Sequence, residues 1–210
     1  MPVVRKLHEQ LMADLLGAIV RGDYEEGARL PKEVELARSH DVSRYVAREC
    51  IQALRDRGVL SVRHGVGARV APRHEWSLFD PVLMEAMLAG PEAQQALGQA
   101  TECLKIVWPE VAALAARRRT AAVLERLEGA GDGNELLGAL AEAAGNRFLR
   151  QVVVSLDRAP EQAGAALPSG LERYRPVLEA VRSRDAEASR AAMRKVVERR
   201  ARPPRGSAPD

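Results

Sequence analysis

No apolar run in the 210 residues approaches the roughly 18–20 needed to cross a bilayer, and the opening MPVVRKLHEQ lacks a charged-then-apolar leader pattern. The expectation is a soluble, cytoplasmic chain with no membrane partner. Cysteine is scarce: Cys50 and Cys103 stand far apart with no CxxC, which argues against a disulfide framework or a cysteine zinc site. Both read as small buried side chains. Histidine is confined to His8, His40, His64 and His74, so nothing after residue 74 can build an imidazole-rich centre. A nucleophile with its base, a glycine-rich phosphate loop and suggestively spaced acid pairs are also missing, which argues against an enzyme. Aromatics make only 3% of the chain, but 46% hydrophobic and 29% charged residues suffice for one ordinary domain or two small ones.

Arginine is concentrated instead. Residues 38–73 hold Arg38, Arg44, Arg48, Arg55, Arg57, Arg63, Arg69 and Arg73 against only Asp41, Glu49 and Asp56. Phosphate backbones are the natural partner of such a stretch; a solvated helix face is the plainer alternative.

Apolar spacing organises this region. Val4, Leu7, Leu11, Leu15 and Ile19 form one stripe of an amphipathic helix. Gly22-Asp23 and Gly27 mark a turn. Leu30-Pro31 then opens a second helix over about Lys32–Ser39, with Glu33 and Glu35 at the positive end of its dipole. His40-Asp41-Val42 breaks it, and Ser43 caps a third helix. There Val46, Ala47, Cys50, Ile51 and Leu54 make the apolar face, with Arg44, Tyr45, Arg48 and Gln52 opposite. Gly58 ends the helix, and Val59–Val62 and Ala68–Val70 read as two strands joined by Arg63-His64-Gly65-Val66-Gly67. A short helix, a tight turn, a basic second helix and a hairpin form an arrangement able to enter a major groove.

The run GARLPKEVELARSHDVSRYVARECIQALRDRGVLSVRHGVGARV resembles, in order and without gaps, the winged helix-turn-helix of GntR-family transcriptional regulators. The resemblance implies a double-stranded DNA operator as partner. It places Arg44 and Arg48 on the recognition helix, Ser43 at its cap and on the DNA backbone, and His64 and Gly65 in the adjacent minor groove. One arginine forking onto guanine O6 and N7 while the other holds phosphate suits this chemistry; pairing of Arg48 with a local carboxylate is the alternative. Two positions depart from the family pattern. Val34 stands where an arginine is common, so the operator need not match the usual half-site. Tyr45 replaces a small polar residue and either contacts DNA or covers apolar surface.

Residues 75–90, EWSLFDPVLMEAMLAG, read as a packed linker, and W-S-L-F-D-P-V-L resembles a segment of family members that regulate sugar-acid catabolism. Beyond it, alanine- and leucine-rich helical periods predict helices over about 92–117 (irregular at Trp108-Pro109), 120–129, 134–144, 146–158, 169–183 and 185–200. The tail Ala201–Asp210 has a disordered composition. ALAEAAGNRFLRQVV and YRPVLEAVRSRDAEASRAAMRKVV resemble the effector-binding and dimerisation domain of the FadR subfamily, which implies a homodimer and a small-metabolite effector. That domain often holds a divalent metal through Asp-x-x-x-His and two later histidines; the matching positions are Gly133, Leu137, Tyr174 and Val196, so the metal is not carried over. A carboxylate-only site among Asp132, Glu135 and Glu172 is the remaining metal option. The run Leu104-Lys105-Ile106-Val107-Trp108 lacks the subfamily's arginine, which implies a more apolar pocket lined by Lys105, Trp108 and Tyr174. If Trp108 and Tyr174 are core fillers, the second reading is a DNA binder without an effector, whose helical domain serves dimerisation or protein contact.

The expected fold is mainly α: a winged helix-turn-helix over 1–74 with a β-hairpin wing, a linker over 75–90, an all-helical domain over 91–202 and a disordered tail over 203–210. No cofactor is expected.

Overall fold

The computed structural model describes residues 2–63, 67–162 and 170–199. The chain divides into two units, residues 1–94 and 95–210. The expected tail and the wing tip lie outside the described residues.

In the first unit α1 (Pro2–Arg21), α2 (Glu33–Ser39) and α3 (Arg44–Asp56) are followed by β1 (Leu60–Arg63), β2 (Gly67–Val70), a 3-10 turn at Arg73–Glu75 and α4 (Pro81–Ala89). Leu11, Leu15 and Ile19 of α1 are buried in one cluster with Val46, Ala47, Cys50 and Leu54 of α3. Met12, Leu16 and Val20 are buried too, so α1 sinks a wider arc than the predicted stripe. Pro31 lies outside α2, whose N-cap is Lys32; Glu35 reaches back to accept from Lys32 N at 2.7 Å. Burial pushes the Cys50 thiol up to about 11, aided by Glu49, so it is inert at neutral pH. Cys103 is exposed, contrary to expectation.

The linker contains a helix. Asp80 accepts from Val82 N and Leu83 N, with Pro81 at the first turn, a start signal present in the sequence. Leu83 and Met84 are buried, whereas Leu78, Phe79 and Val82 are exposed, so this segment packs on one side only. Arg57 Nε lies 3.1 Å from Asp80 Oδ1, tying the end of α3 to the start of α4. Trp76 is buried, and its Nε1 donates to Ala71 O at 3.0 Å. Trp76→Phe therefore leaves that carbonyl short of a donor and should destabilise the unit by about 1–3 kcal/mol in a urea melt.

The second unit is built from α5 (Ala93–Arg118), α6 (Ala121–Glu128), α7 (Gly133–Ala143), α8 (Arg147–Gln162), a 3-10 turn at Leu171–Tyr174, α9 (Arg175–Arg182) and α10 (Ala186–Glu198). Side-chain caps start several of them: Thr120 accepts from Val123 N, Asp132 from Asn134 N and Glu135 N, and Asp185 from Ala188 N. Helix α5 continues past the buried Pro109, which has no N–H to donate to the carbonyl of Lys105, so the local irregularity expected at Trp108-Pro109 does not end the helix. Ala112, Ala113, Ala115 and Ala116 are all buried. Such small side chains let helix axes approach closely, which is how a core with few aromatics fills.

Arg190 bridges Glu110, at 2.6 and 2.9 Å, and Glu187. Its hydrogen bond holds the Glu110 carboxyl below the usual range. A depressed carboxylate stabilises the fold above the unfolded pKa of about 4.3 and loses that contribution as pH falls through the folded value. Thermal melts between about pH 6 and pH 3 should show a fall that Glu110→Gln flattens slightly.

Candidate nucleic-acid interface

The recognition element is made by local chemistry. Asp41 takes a left-handed φ of 52°, a conformation that short polar side chains tolerate, and turns the chain between α2 and α3. Val42 N donates to Ala37 O at 2.9 Å. Ser43, with extended φ and ψ of −71° and 154°, accepts from Val46 N at 3.2 Å through its hydroxyl. The cap fixes where α3 begins and so where its first turn points its side chains.

At 3.6 residues per turn, Val46, Ala47, Cys50, Ile51 and Leu54 share one face, and all five are buried. Arg44, Tyr45 and Arg48 occupy the opposite face and are exposed. Neither Arg44 nor Arg48 forms an ion pair or hydrogen bond with a described residue, so Arg48 is not occupied by a local carboxylate. Tyr45 is 67% exposed, so most of its side chain is open to a partner. Gln52 is engaged by Asp56 at 2.7 Å, leaving the N-terminal half of the face unencumbered. Val34 of α2 is exposed at 42% and supplies no polar group.

Beside α3, β1 and β2 pair antiparallel from Leu60↔Val70 to Arg63↔Gly67. His64 and Gly65 fall outside the described residues. The segment before α2 also joins this sheet. Leu30 N donates to Ala68 O and Val70 N to Ala28 O, both at 3.0 Å, and Arg29 bridges Arg69. This third edge was missed from sequence.

In the second unit Lys105 is exposed, while Trp108 and Tyr174 are core side chains at 2% and 0% exposure. Trp108 Nε1 donates to Asp157 Oδ2 at 3.0 Å. None of the three lines the groove of about 470 Å³ that includes Arg173, Pro176, Ala192, Lys195, Val196 and Arg199. The expected effector triad is therefore not gathered around that groove.

The subfamily's metal does not fit this unit. Gly133, Leu137, Tyr174 and Val196 are all buried, and three of them offer no ligand atom on a side chain. Asp132 is used as the α7 cap, and Glu135 accepts from Gly131 N at 2.7 Å, which accounts for two of the three carboxylates considered. Among the described residues no three His, Cys, Asp or Glu side chains stand together to hold a metal ion.

Comparison with known proteins matches residues 7–70 to the bacterial regulatory proteins of the gntR family and residues 134–199 to the FCD domain. The chain carries a GntR-type DNA-binding domain and an FCD domain. It is 26% identical over 209 residues to the galactonate operon transcriptional repressor of Escherichia coli K12, covering 88% of this chain and 90% of the relative. It is 43% identical over 74 residues to the Escherichia coli K12 Exu regulon transcriptional regulator, 34% of this chain and 29% of that one. A solved Streptococcus agalactiae GntR structure shares 26% identity at a TM-score of 0.43, over 91% of this chain and 98% of that one. Both matched domains belong to transcription regulators, so this chain is a DNA-binding regulator rather than an enzyme. Among the described residues no helix is long and apolar enough to cross a membrane.

Proposed function

We propose that this regulator acts in the cytoplasm as a homodimeric repressor on a palindromic operator, released by a small metabolite bound in its FCD domain. Arg44, Tyr45 and Arg48 read base edges and phosphates, with Ser43 on the backbone and His64 and Gly65 at the minor groove. The observation that carries the reading is the exposed pair Arg44 and Arg48, without an ion-pair partner among the described residues, on a helix whose other face is core. Two-fold protein symmetry demands two-fold operator symmetry, so half-sites one helical turn apart follow from a dimer. Selecting duplexes with the full chain from a random library tests this. An inverted repeat bound by two chains is expected, whereas a single unrepeated site bound by one chain contradicts it.

A second reading, DNA binding without an effector, is favoured by the buried Gly133, Leu137, Tyr174 and Val196 at the subfamily's ligand positions. A thermal-shift screen separates the two. One compound that both stabilises the protein and releases the selected duplex removes the effector-free reading.

A further inference from the structure

Alternation along the wing strands turns Leu60, Ala68 and Val70 inward, where they are buried, and Ser61, Arg63 and Arg69 outward, where they are exposed. Arg29 extends the outer face, because it stands opposite Arg69 in the antiparallel bridge. The two backbone bonds that fix this bridge, Leu30 N to Ala68 O and Val70 N to Ala28 O, flank the pair rather than join it. It is therefore a non-hydrogen-bonded pair, the kind in which opposed side chains stand closest.

Like charges directly opposite each other destabilise a sheet. Even so, neither Arg29, Arg63 nor Arg69 has a carboxylate partner among the described residues. Arg69 is held in place by donating through one terminal nitrogen to Gly27 O at 2.7 Å. Gly67, opposite Arg63, has no side chain, and Arg29 lies across that space: a Cβ at Gly67 would stand 3.3 Å from Arg29 Nε. The glycine thus admits Arg29 into the row of Arg63, bringing three cations onto one small face; Glu33 lines the same hollow as Arg29, but among the described residues no carboxylate is in ion-pair contact with any of the three.

The geometry points to the outer face of the wing sheet as a second DNA contact, where Arg29, Arg63 and Arg69 hold backbone phosphates of the duplex outside the base pairs read by α3. Guanidinium forks match phosphate oxygens, and the anion relieves the repulsion the folded chain carries. Contacts to phosphate add affinity without reading sequence. This surface supplies cationic contacts of the kind that Val34 does not.

The inference rests on the DNA-binding surface proposed above, and its test separates the two. Affinity of the full chain is measured across a salt series for its selected duplex and for a random-sequence duplex. With R29Q/R63Q/R69Q, the slope of log K against log salt should become shallower by about 5, at roughly 0.9 per phosphate released and three phosphates for each of the two chains on the duplex. Both duplexes should weaken by the same factor, so that their ratio stands, and R29K/R63K/R69K should keep the slope. An unchanged slope in the glutamine variant, alongside lost discrimination in R44A/R48A, overturns this contact and leaves the recognition helix standing. If R44A/R48A is silent as well, the recognition-helix reading fails. A loss of discrimination rather than of salt dependence in the glutamine variant also overturns the inference. Should a thermal melt show that the triple variant is unfolded, R63Q alone carries the test, with a slope shallower by about 2 for the two bound chains.

Discussion

Alanine at Arg44 and Arg48 together lowers affinity for the selected duplex by about a hundredfold or more and leaves the melting temperature of the chain unchanged. A guanidinium fork on guanine is worth about 1–3 kcal/mol of discrimination, and a phosphate contact adds salt-dependent affinity. The two halves of the prediction have one cause. Both side chains are exposed and bond to no described residue, so the folded chain loses nothing with them. On random DNA the variant should lose only the phosphate share of these contacts, while discrimination between duplexes collapses, which separates reading from attraction. Titration of both duplexes with the variant, next to a thermal melt, checks each half.

Gly58→Ala should damage the first unit severely, at about 3–4 kcal/mol in a urea melt. Gly58 sits at φ 73°, where a side chain costs about 1–2 kcal/mol in any surroundings. Here the surroundings are also closed, since a Cβ would stand 2.2 Å from Glu75 O and 3.1 Å from Glu75 C. Relief requires the backbone of 75–77 to move, yet that backbone is tied to the end of α3 by Ser77 N donating to Arg57 O at 2.9 Å. Overpacking of this kind adds about 1–3 kcal/mol. Gly22→Ala is the matched control: φ is 88°, but nothing lies within 4 Å, so only the conformational cost of about 1–2 kcal/mol remains. Near-equal losses in the two variants would show that the contact with Glu75 does not matter. A typical domain stability of about 5–15 kcal/mol makes the first loss a large fraction of the whole.

Much of the first unit was legible because each signal is local. The cap at Ser43, the break at His40-Asp41-Val42, the period of Val46 to Leu54 and the glycine at position 58 depend on neighbours in sequence, and the helix and strands appear where those signals put them. Helix α4 was missed although Asp80-Pro81 is a sound start signal, because Trp76, Leu78 and Phe79 suggested an irregular packed stretch. The Gly27–Leu30 edge of the sheet was missed for a different reason. Its bridge to Arg69 joins residues forty apart, and nothing in the local pattern marks which strand an extended segment will meet. Six helices of the second unit were legible from alanine and leucine periodicity, but the lining of a pocket was not. Trp108 and Tyr174 look alike in sequence whether they fill a core or face a ligand, and both are core side chains here. Lys105 lies three residues before Trp108, yet is exposed.

The chemistry of the interface depends on a division of labour within α3. One face is held by α1 and the core around Leu11, Leu15 and Ile19, which fixes its direction. The other is left with cations that no acid among the described residues pairs with, so ordering their side chains is favourable when a partner supplies oxygen acceptors. That is the property of a reading surface rather than of a structural ion-pair network such as Arg190 with Glu110 and Glu187.

Methylation protection at guanine N7 on the selected duplex tests the recognition surface most directly. The chain should shield a guanine in each half-site from the major groove, and Arg44→Ala or Arg48→Ala should release that shielding while the folded protein stays bound at low salt. An unaltered protection pattern in both variants, or shielding confined to the minor groove, would contradict the assignment of α3 as the element that reads DNA.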